Sequence, residues 1–230
     1  MFRILFPLFL ALVFGPAWAD EASVKKSVEA WLGGKVDTVR KTNLLGLYEI
    51  QAGNEIYYTD EKVSLLFDGN IIDTKSRTNL TQERLNKLSA IKFADLPLEL
   101  AVKTVRGDGS RIIATFEDPN CAYCKKLAKE LQGVNNITIY TFLLPILSRD
   151  SAEKSRAIWC APDRAKAWND HMVSGIPVAP GTCDAPIDKV IGLAQKYNIR
   201  GTPTIFLSNG ERIPGALPVA QLEQKLAQIK

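Results

Sequence analysis

The sequence predicts two domains of mixed structure, a small α+β domain followed by a larger α/β domain, with a helical linker between them. Short β-like runs separated by turn dipeptides follow one helix in the N-terminal part, whereas the C-terminal part alternates buried strands with helices. All four cysteines fall in the second part. The expected divisions are a leader (1–19), a first domain (20–80), a linker (81–96) and a second domain (97–230).

The composition is that of a globular protein with a substantial core. Hydrophobic residues make up 46% of the 230 residues and charged residues 23%, which excludes disordered and collagen-like chains. The formal charge is +4 and the chain contains no basic run, so nothing in it supports nucleic-acid binding.

The N-terminus has the three parts of a secretory leader. Arg3 supplies a positive charge, Ile4 to Phe14 form an apolar run, and Ala17-Trp18-Ala19 is a small-x-small cleavage site. The apolar run is too short for a membrane span, which disfavours the alternative of a membrane anchor. We expect cleavage after Ala19 and export of the mature chain.

The first domain is predicted to be a small antiparallel sheet with one helix. The helix has apolar residues at helical spacing and ends at Gly33-Gly34; its apolar residues are Val24, Val28, Trp31 and Leu32. Four β-like runs follow, with turn dipeptides at Gly53-Asn54 and Asp68-Gly69: Leu45–Ile50, Glu55–Thr59, Val63–Phe67 and Asn70–Asp73. A domain of about 60 residues buries only a modest core. The sequence leaves open whether it stands alone or pairs with a second copy through its sheet edges.

The linker is predicted to be a helix from Gln82 to about Phe93, capped by Thr81 and ended by Asp95 and Pro97.

The second domain is predicted to contain a central mixed sheet covered by helices. Its expected elements, in order, are strands at Val102–Val105 and Arg111–Phe116, a helix to about Leu131, a strand at Ile137–Leu144, helices at 151–160, 162–172 and 186–197, a hairpin of Thr204–Leu207 and Glu211–Ile213, and a helix from Pro218.

The segment Cys121-Ala122-Tyr123-Cys124 stands where a buried strand meets the start of a helix. Backbone N–H groups and the positive dipole end at a helix N-terminus favour a thiolate, which is the attacking species in thiol–disulfide exchange. Cys124 shares a helical stripe with Leu127 and Ala128 and should be buried. Cys121, at the helix tip, is expected to meet solvent and to act as the nucleophile, with Cys124 as the resolving thiol.

Two other interpretations of this motif are less favoured. A zinc half-site needs further ligands, and the chain has no second CxxC and one histidine, His171. A structural disulfide would close too short a loop to stabilise the fold much. Cys160 and Cys183 suit a structural disulfide better, although a second redox pair remains the alternative. Neither a metal nor another cofactor is expected.

Four segments resemble the DsbC/DsbG family of periplasmic thiol:disulfide interchange proteins, within the thioredoxin superfamily, and are most similar to the DsbC branch. The segments are Phe116-x4-Cys121-x-Tyr123-Cys124-Lys125-Lys126-Leu127, Ala157-Ile158-Trp159-Cys160-Ala161, Val178-Ala179-Pro180-x-x-Cys183-Asp184 and Gly201-Thr202-Pro203-x3-Leu207-Ser208-Asn209-Gly210. The resemblance is specific over residues 110–230 and looser over 20–96. It implies a thioredoxin-like C-terminal domain with a helical insertion.

The resemblance also implies roles for single residues. Cys121 matches the attacking cysteine and Cys124 the resolving one, and Cys160 and Cys183 match the structural disulfide. Pro203 matches a cis-proline that faces the active site, although composition alone would predict a trans bond. Thr202 matches the residue whose backbone pairs with the substrate, and Tyr123 lies within the motif as active-site support.

The N-terminal region resembles the small cystatin-like dimerisation domain of that family, which implies a V-shaped homodimer with a cleft for unfolded chains. The implied partners are wrongly disulfide-bonded exported proteins and a membrane electron donor of the DsbD type, in the periplasm. The implied function is disulfide isomerisation or reduction with chaperone activity. A dithiol oxidase, or a chaperone whose cysteines are incidental, is the alternative.

The sequence departs from the family pattern at two places. Ala122 replaces the usual glycine between the cysteines, which leaves the redox poise open. Thr115 stands six positions before Cys121, where thioredoxin has a buried acid, so a proton relay through that position is not expected. Glu117 and Asp118 are nearer but are expected at the strand end.

Overall fold

The computed structural model describes residues 20–53 and 55–229, which form two compact units that meet in sequence between Leu85 and Asn86. The expected leader and the cleavage site after Ala19 lie outside the described residues. Within the described ranges, no helix combines the length and hydrophobicity needed to cross a bilayer.

The first unit is a helix on an antiparallel sheet, in agreement with the sequence prediction. Helix α1 (Glu21–Leu32) begins at Asp20, whose carboxylate accepts a hydrogen bond from the Ser23 N–H at 2.7 Å, and ends at Gly33 in the left-handed conformation. The strands lie in the order β1-β2-β3-β4. Their bounds are β1 (Thr38–Lys41), β2 (Tyr48–Ala52), β3 (Glu55–Thr59) and β4 (Leu66–Asp68).

Several details of this unit differ from the prediction. Strand β1 was not predicted because only Val39 of its four residues is buried. Strand β2 begins at Tyr48 instead of Leu45, because Leu45 has φ of 50°, a left-handed conformation that interrupts a strand. Trp31 is 66% exposed and does not join Val24 and Val28 in the core. A further two-residue ribbon is formed by β5 (Ile72–Asp73) and β6 (Thr78–Asn79).

The segment predicted as a linker is divided between the two units. Helix α2 (Leu80–Leu88) is shorter than predicted and contains the division between the units. The residues that follow it belong to the second unit, because Ile91, Phe93 and Leu96 pack into that unit's core. The second unit therefore includes residues 86–96, which the sequence assigned to the linker.

The second unit is built on a mixed five-stranded sheet, as predicted. The strand order is β11-β10-β8-β9-β7, in which β8 and β9 are parallel and all other neighbours are antiparallel. The strands are β7 (Val102–Arg106), β8 (Arg111–Glu117), β9 (Ile137–Leu143), β10 (Thr204–Leu207) and β11 (Arg212–Pro214).

Helices cover both faces of this sheet. They are α3 (Ala122–Glu130), α4 (Ser151–Cys160), α5 (Arg164–Asn169), α6 (Ile187–Lys196) and α7 (Val219–Ala227); α5 continues as a π-helical turn over Asp170–Ser174. On one face, Phe116 stacks on Phe142 with ring centroids 4.6 Å apart, in a cluster that includes Val190 of α6. On the other face, Ile113 packs with Leu127 of α3. Side chains of β8 thus alternate between the α6 face and the α3 face.

Gly210 provides a test of how the segment after α2 is attached to the second unit. Its N–H lies in the turn between β10 and β11, and its carbonyl accepts a hydrogen bond from the Ile91 N–H at 3.0 Å. Its φ is 86°, and a Cβ placed there would lie 1.9 Å from the Ile91 carbonyl oxygen. We expect Gly210→Ala to lower the free energy of unfolding by about 2 kcal/mol or more in urea titrations.

The matched control is Gly192→Ala in the interior of α6, where an added Cβ meets nothing within 4 Å. Because alanine is the better helix former, this change should raise stability by up to about 1 kcal/mol. Equal effects of the two substitutions would contradict the described packing of Ile91 against Gly210.

Candidate active site

Cys121 occupies the N-cap position of α3, directly after the loop that follows β8. The N–H of Cys124 donates a hydrogen bond to the Cys121 sulfur at 3.2 Å, in the geometry in which a capping side chain satisfies a free helix N–H. A thiolate at this sulfur would accept the same bond with added charge assistance. The strand–helix junction predicted from the sequence is therefore present, and it directs a donor at Cys121.

Cys124 lies in the first turn of α3 and is fully buried, on the stripe that continues through Leu127 and Ala128. Burial raises the pKa of the Cys124 thiol strongly, and the negative charge of Glu117 and the neighbouring Cys121 raise it further. Its thiolate is therefore scarce at neutral pH. The two sulfurs of one short motif stand in different environments.

The Thr202–Pro203 peptide bond is cis and lies beside Cys121. The Cys121 thiol donates a hydrogen bond to the Thr202 carbonyl oxygen at 3.3 Å, and Pro203 is buried. Strand pairing explains this proximity, because Thr204 of β10 is opposite Phe116 of β8. The structure thus brings together Cys121, Cys124 and the Thr202–Pro203 pair, as the sequence motifs suggested.

The expectation that Cys121 meets solvent freely is wrong. Cys121 is only 3% exposed, because the Thr202–Pro203 segment covers the tip of α3, a contact that no local pattern predicts. Tyr123, in the same helical turn, is 68% exposed and presents its ring at the surface. Access to the Cys121 sulfur is therefore narrow, and access to the Cys124 sulfur is absent in this conformation.

The loop between β8 and α3 is held by the carboxylate of Asp118, the second acid that the sequence placed at the strand end. Asp118 is fully buried, and its carboxylate accepts hydrogen bonds from the N–H groups of Ile146 (2.8 Å) and Leu147 (2.9 Å) and from the Ser151 hydroxyl (2.8 Å). Its backbone carbonyl accepts from the Cys121 N–H at 3.0 Å. Asp118 therefore links the loop carrying Cys121 to the segment that follows β9.

Asn120 and His171 hold the same loop from two sides. The Asn120 amide donates to Ser148 and Ser151, and the Lys154 ammonium donates to its oxygen at 2.6 Å. Buried His171 lies 2.8 Å, through Nε2, from the Pro119 carbonyl oxygen, which accepts this hydrogen bond. These contacts join residues far apart in sequence, so spacing alone carried no signal for them.

Glu117 is one of the two acids that the sequence placed at the end of the strand before Cys121. It is the last residue of β8, as its position suggested, but it is only 1% exposed. Burial raises the pKa of Glu117 from its ordinary 4.5 to about 7, against an opposing effect of the Thr115 hydroxyl. A charged residue at a strand end usually meets solvent, but Glu117 lies on the face of the sheet on which α3 packs and is buried there.

Cys160 and Cys183 form a disulfide, with their Cα atoms 5.6 Å apart. The bond joins the end of α4 to the segment before α6 and closes a loop with a sequence separation of 23. A disulfide that closes a loop of this length stabilises the fold by about 3 kcal/mol in the chain-entropy account.

In the described residues, histidine, cysteine and acidic side chains form no group of three or more able to hold a metal ion.

This chain is similar in sequence and in structure to known thiol:disulfide interchange proteins. Residues 98–230 match the family model of a thioredoxin-like domain, and residues 15–82 match that of the disulfide bond isomerase protein N-terminal domain. The probable thiol:disulfide interchange protein DsbC of Bordetella pertussis is 49% identical over 206 residues, covering 90% of this chain and 74% of that protein. DsbC of Escherichia coli is 29% identical over 223 residues, covering 94% and 92%. A disulfide interchange protein structure from Neisseria gonorrhoeae aligns with a TM-score of 0.56 and 40% identity over 58% of this chain and 97% of that one.

Burial of Glu117 predicts a specific pH dependence of stability. Because the folded-state pKa is raised, the neutral acid is favoured on folding, and this contribution is present below about pH 4.5 and is lost as pH rises through 7. The free energy of unfolding of the wild type should therefore fall by about 3 kcal/mol relative to that of Glu117→Gln between pH 4 and pH 8. Urea titrations of both reduced proteins across this range measure the difference, and a flat difference would contradict the burial of Glu117.

Proposed function

This chain belongs to the DsbC family of thiol:disulfide interchange proteins, and we propose that it works in the periplasm as a disulfide isomerase and reductase. The reacting pair is Cys121 and Cys124. The observation that carries this proposal is the inequality of the two sulfurs: one accepts a helix N–H and touches the Thr202 carbonyl, and the other is buried with a strongly raised pKa.

The first step is attack by the Cys121 thiolate on a wrong disulfide in a client protein. Cys121 forms a mixed disulfide with one client sulfur, and the other client sulfur leaves as a thiolate. The N–H of Cys124 and the dipole of α3 stabilise the charge on Cys121 before attack and whenever it is released. A released client thiolate that attacks another client disulfide, and finally the mixed disulfide, completes isomerisation without net oxidation.

The raised pKa of Cys124 favours isomerisation over immediate reduction. Only the thiolate of Cys124 can attack Cys121 and expel the client, and burial keeps that thiolate rare. The mixed disulfide then persists long enough for the client to rearrange. When rearrangement fails, Cys124 resolves the complex and leaves the client reduced.

The segment beside Cys121 is proposed to hold the client chain. Thr202 lies immediately before the buried cis-proline, and its carbonyl already points at the Cys121 sulfur. An extended client segment that pairs with the backbone at Thr202 would place its disulfide next to that sulfur. Exposed Tyr123 adds an apolar surface at the same end of α3.

The isomerase function requires Cys121 to be kept reduced in an oxidising compartment. We assign this task to a membrane electron donor of the DsbD type, which would reduce the Cys121–Cys124 disulfide after each reductive cycle. The leader sequence supports export to the periplasm. The Cys160–Cys183 disulfide is assigned a structural role, because it joins the last residue of α4 to the loop before α6.

The first unit is assigned a role in dimerisation, and the homodimer a role in holding unfolded clients. Its sheet has an edge strand, β4, that carries exposed apolar side chains, Leu65 beside it and Phe67 within it. Edge strands with apolar residues are templates for pairing with another chain. A second copy of the same unit is the partner that this family membership supports.

Substitution of the two cysteines separates their roles. Cys121→Ser should lose refolding activity on a scrambled multi-disulfide substrate by at least about 100-fold, because the nucleophile is gone. Cys124→Ser should keep isomerisation but accumulate a mixed disulfide with the client through Cys121, visible by mass spectrometry. The Cys160→Ser/Cys183→Ser variant is the control and should retain activity per folded molecule. Full refolding activity of Cys121→Ser would show that the protein acts as a chaperone only.

If the dimer forms through the β4 edge, one added negative charge on that edge should separate it into monomers. Phe67→Asp places a carboxylate on that edge and should shift the protein to monomers in sedimentation, with loss of isomerase activity and retention of simple disulfide reduction. The matched control is Val105→Asp, which alters an exposed position of β7. Unchanged sedimentation of Phe67→Asp would remove β4 from the interface.

A further inference from the structure

Glu117 is a buried acid whose position the exchange mechanism above does not use. Its neighbour Phe116 packs on the α6 face of the sheet, so the Glu117 side chain emerges on the α3 face. Its Oε2 atom is buried and has no hydrogen-bond partner among the described residues. Buried polar atoms are rarely left unpaired, because the lost hydration is costly. An unpaired carboxylate oxygen in the core therefore calls for a functional explanation.

The same face of the sheet places Glu117 under Cys124. Ala128 lies one helical turn after Cys124 on the buried stripe of α3, and Ala128 and Glu117 line one common cavity. Leu143, which is paired with Glu117 across β8 and β9, belongs to the same hydrophobic cluster as Cys124. The electrostatic effect of Glu117 on the Cys124 thiol agrees with this placement.

The cavity beside Glu117 offers a route for protons to the surface. Its volume is about 20 Å³, which is enough for one water molecule. Its wall includes the hydroxyl-bearing Thr104 and Thr141, the half-buried Arg106, and the amides of Gln132 and Asn169. The Gln132 amide donates to the Asn169 oxygen at 2.8 Å, and Gln132 is exposed. Polar side chains of the cavity wall thus lie between the buried carboxylate and exposed Gln132, beside the apolar wall residues Leu131 and Trp168.

Few charged groups compete with Glu117 for a proton from Cys124. Among the cavity-lining residues, Arg106 on β7 is the other charged one, while β9 and α5 contribute Thr141, Trp168 and Asn169. The Arg106 guanidinium donates to the Leu131 carbonyl oxygen. Asp118 accepts hydrogen bonds from the segment after β9, so its carboxylate is already occupied.

We propose that Glu117 accepts the proton of the Cys124 thiol when Cys124 attacks the mixed disulfide, and passes it to solvent through the cavity between α3 and α5. This role rests on the proposed exchange function. It gives the resolving step a proton acceptor, Glu117, that lies four positions before Cys121 in the sequence. It also makes the balance between reduction and isomerisation depend on the ionisation of one buried carboxyl group.

The step balances in atoms and electrons. At the start, Cys121 is bonded to a client sulfur, Cys124 carries its proton, and Glu117 is ionised. The Cys124 S–H bond breaks with transfer of the proton to the Glu117 carboxylate, and the sulfur electron pair forms the Cys124–Cys121 bond. The Cys121–client bond breaks, and the client sulfur leaves as a thiolate that takes a proton from solvent. Glu117 then releases its proton through the cavity, so the client sulfur is reduced and the dithiol is oxidised.

The test separates the two sulfur reactions on the reduced full-length protein with 5,5′-dithiobis(2-nitrobenzoate). Attack by Cys121 releases one coloured thiolate and leaves a mixed disulfide; attack by Cys124 releases the second. Stopped-flow absorbance resolves both phases between pH 5 and pH 9. The proteins compared are wild type, Glu117→Gln, Glu117→Asp and the surface control Glu153→Gln, an exposed residue of α4.

We expect Glu117→Gln to slow the second phase about 10- to 100-fold at pH 8 and to remove an inflection near pH 7 that wild type shows. The first phase and the Glu153→Gln control should be unchanged, and Glu117→Asp should restore part of the rate. This partial rescue keeps the test informative should the glutamine variant fold poorly.

Three results would overturn the proposal. An unchanged second phase in Glu117→Gln would show that Glu117 takes no proton. A faster second phase would show that Glu117 acts only as a charge that disfavours the Cys124 thiolate, and equal slowing of both phases would indicate a structural role. Absence of the first phase in wild type would instead contradict the proposed function, because Cys121 would not be the nucleophile.

Discussion

The pairing of β10 with β8 is the interaction on which the candidate active site depends. Four residue pairs from Thr204–Phe116 to Leu207–Ile113 join strands that are about 90 positions apart in sequence. This register sets the two residues before β10, Thr202 and Pro203, beside the loop that leaves β8. A shift by one residue would turn the faces of β10 over and move the Thr202 carbonyl away from Cys121.

The same sheet produces the difference between the two cysteines. Helix α3 starts after the loop that leaves β8 and packs its Cys124 stripe on the sheet, so the second sulfur of the motif is buried in a cluster with Leu143 and Trp159. The first sulfur remains at the cap, where it receives an N–H and touches the Thr202 carbonyl. Thiol–disulfide exchange needs this difference, because Cys121 must attack the client first and Cys124 must attack the mixed disulfide only afterwards.

Local sequence patterns predicted most of the second unit, and the reason is the strength of its signals. The strand at Thr204–Leu207 and the helix over 151–160 were predicted with the bounds that the structure has, since each is a continuous apolar or amphipathic run between clear breakers. Strand β1 carries one buried residue among polar ones, and a pattern with a single apolar position predicts nothing. The succession of strands and helices also predicted that the sheet contains both parallel and antiparallel strands.

The site depended more on tertiary contacts, and there the sequence was less informative. The CxxC motif and its strand–helix junction were visible, and the burial of Cys124 followed from helical spacing. The family resemblance placed Pro203 at the active site, but the near-complete covering of Cys121 was not visible. Nor were the occupied carboxylate of Asp118 and the burial of Glu117. Each arises where two distant segments meet, and a glutamate that ends a strand gives the same local pattern whether a helix covers it or water does.

Selective alkylation of the reduced protein measures whether the sulfurs of Cys121 and Cys124 differ in reactivity. Native protein treated with limiting iodoacetamide at pH 7.5 and then digested should carry the modification on Cys121, with Cys124 modified only after unfolding in urea. Mass spectrometry of the peptide spanning both residues distinguishes the two sites. Equal modification of both cysteines, or faster modification of Cys124, would contradict the account.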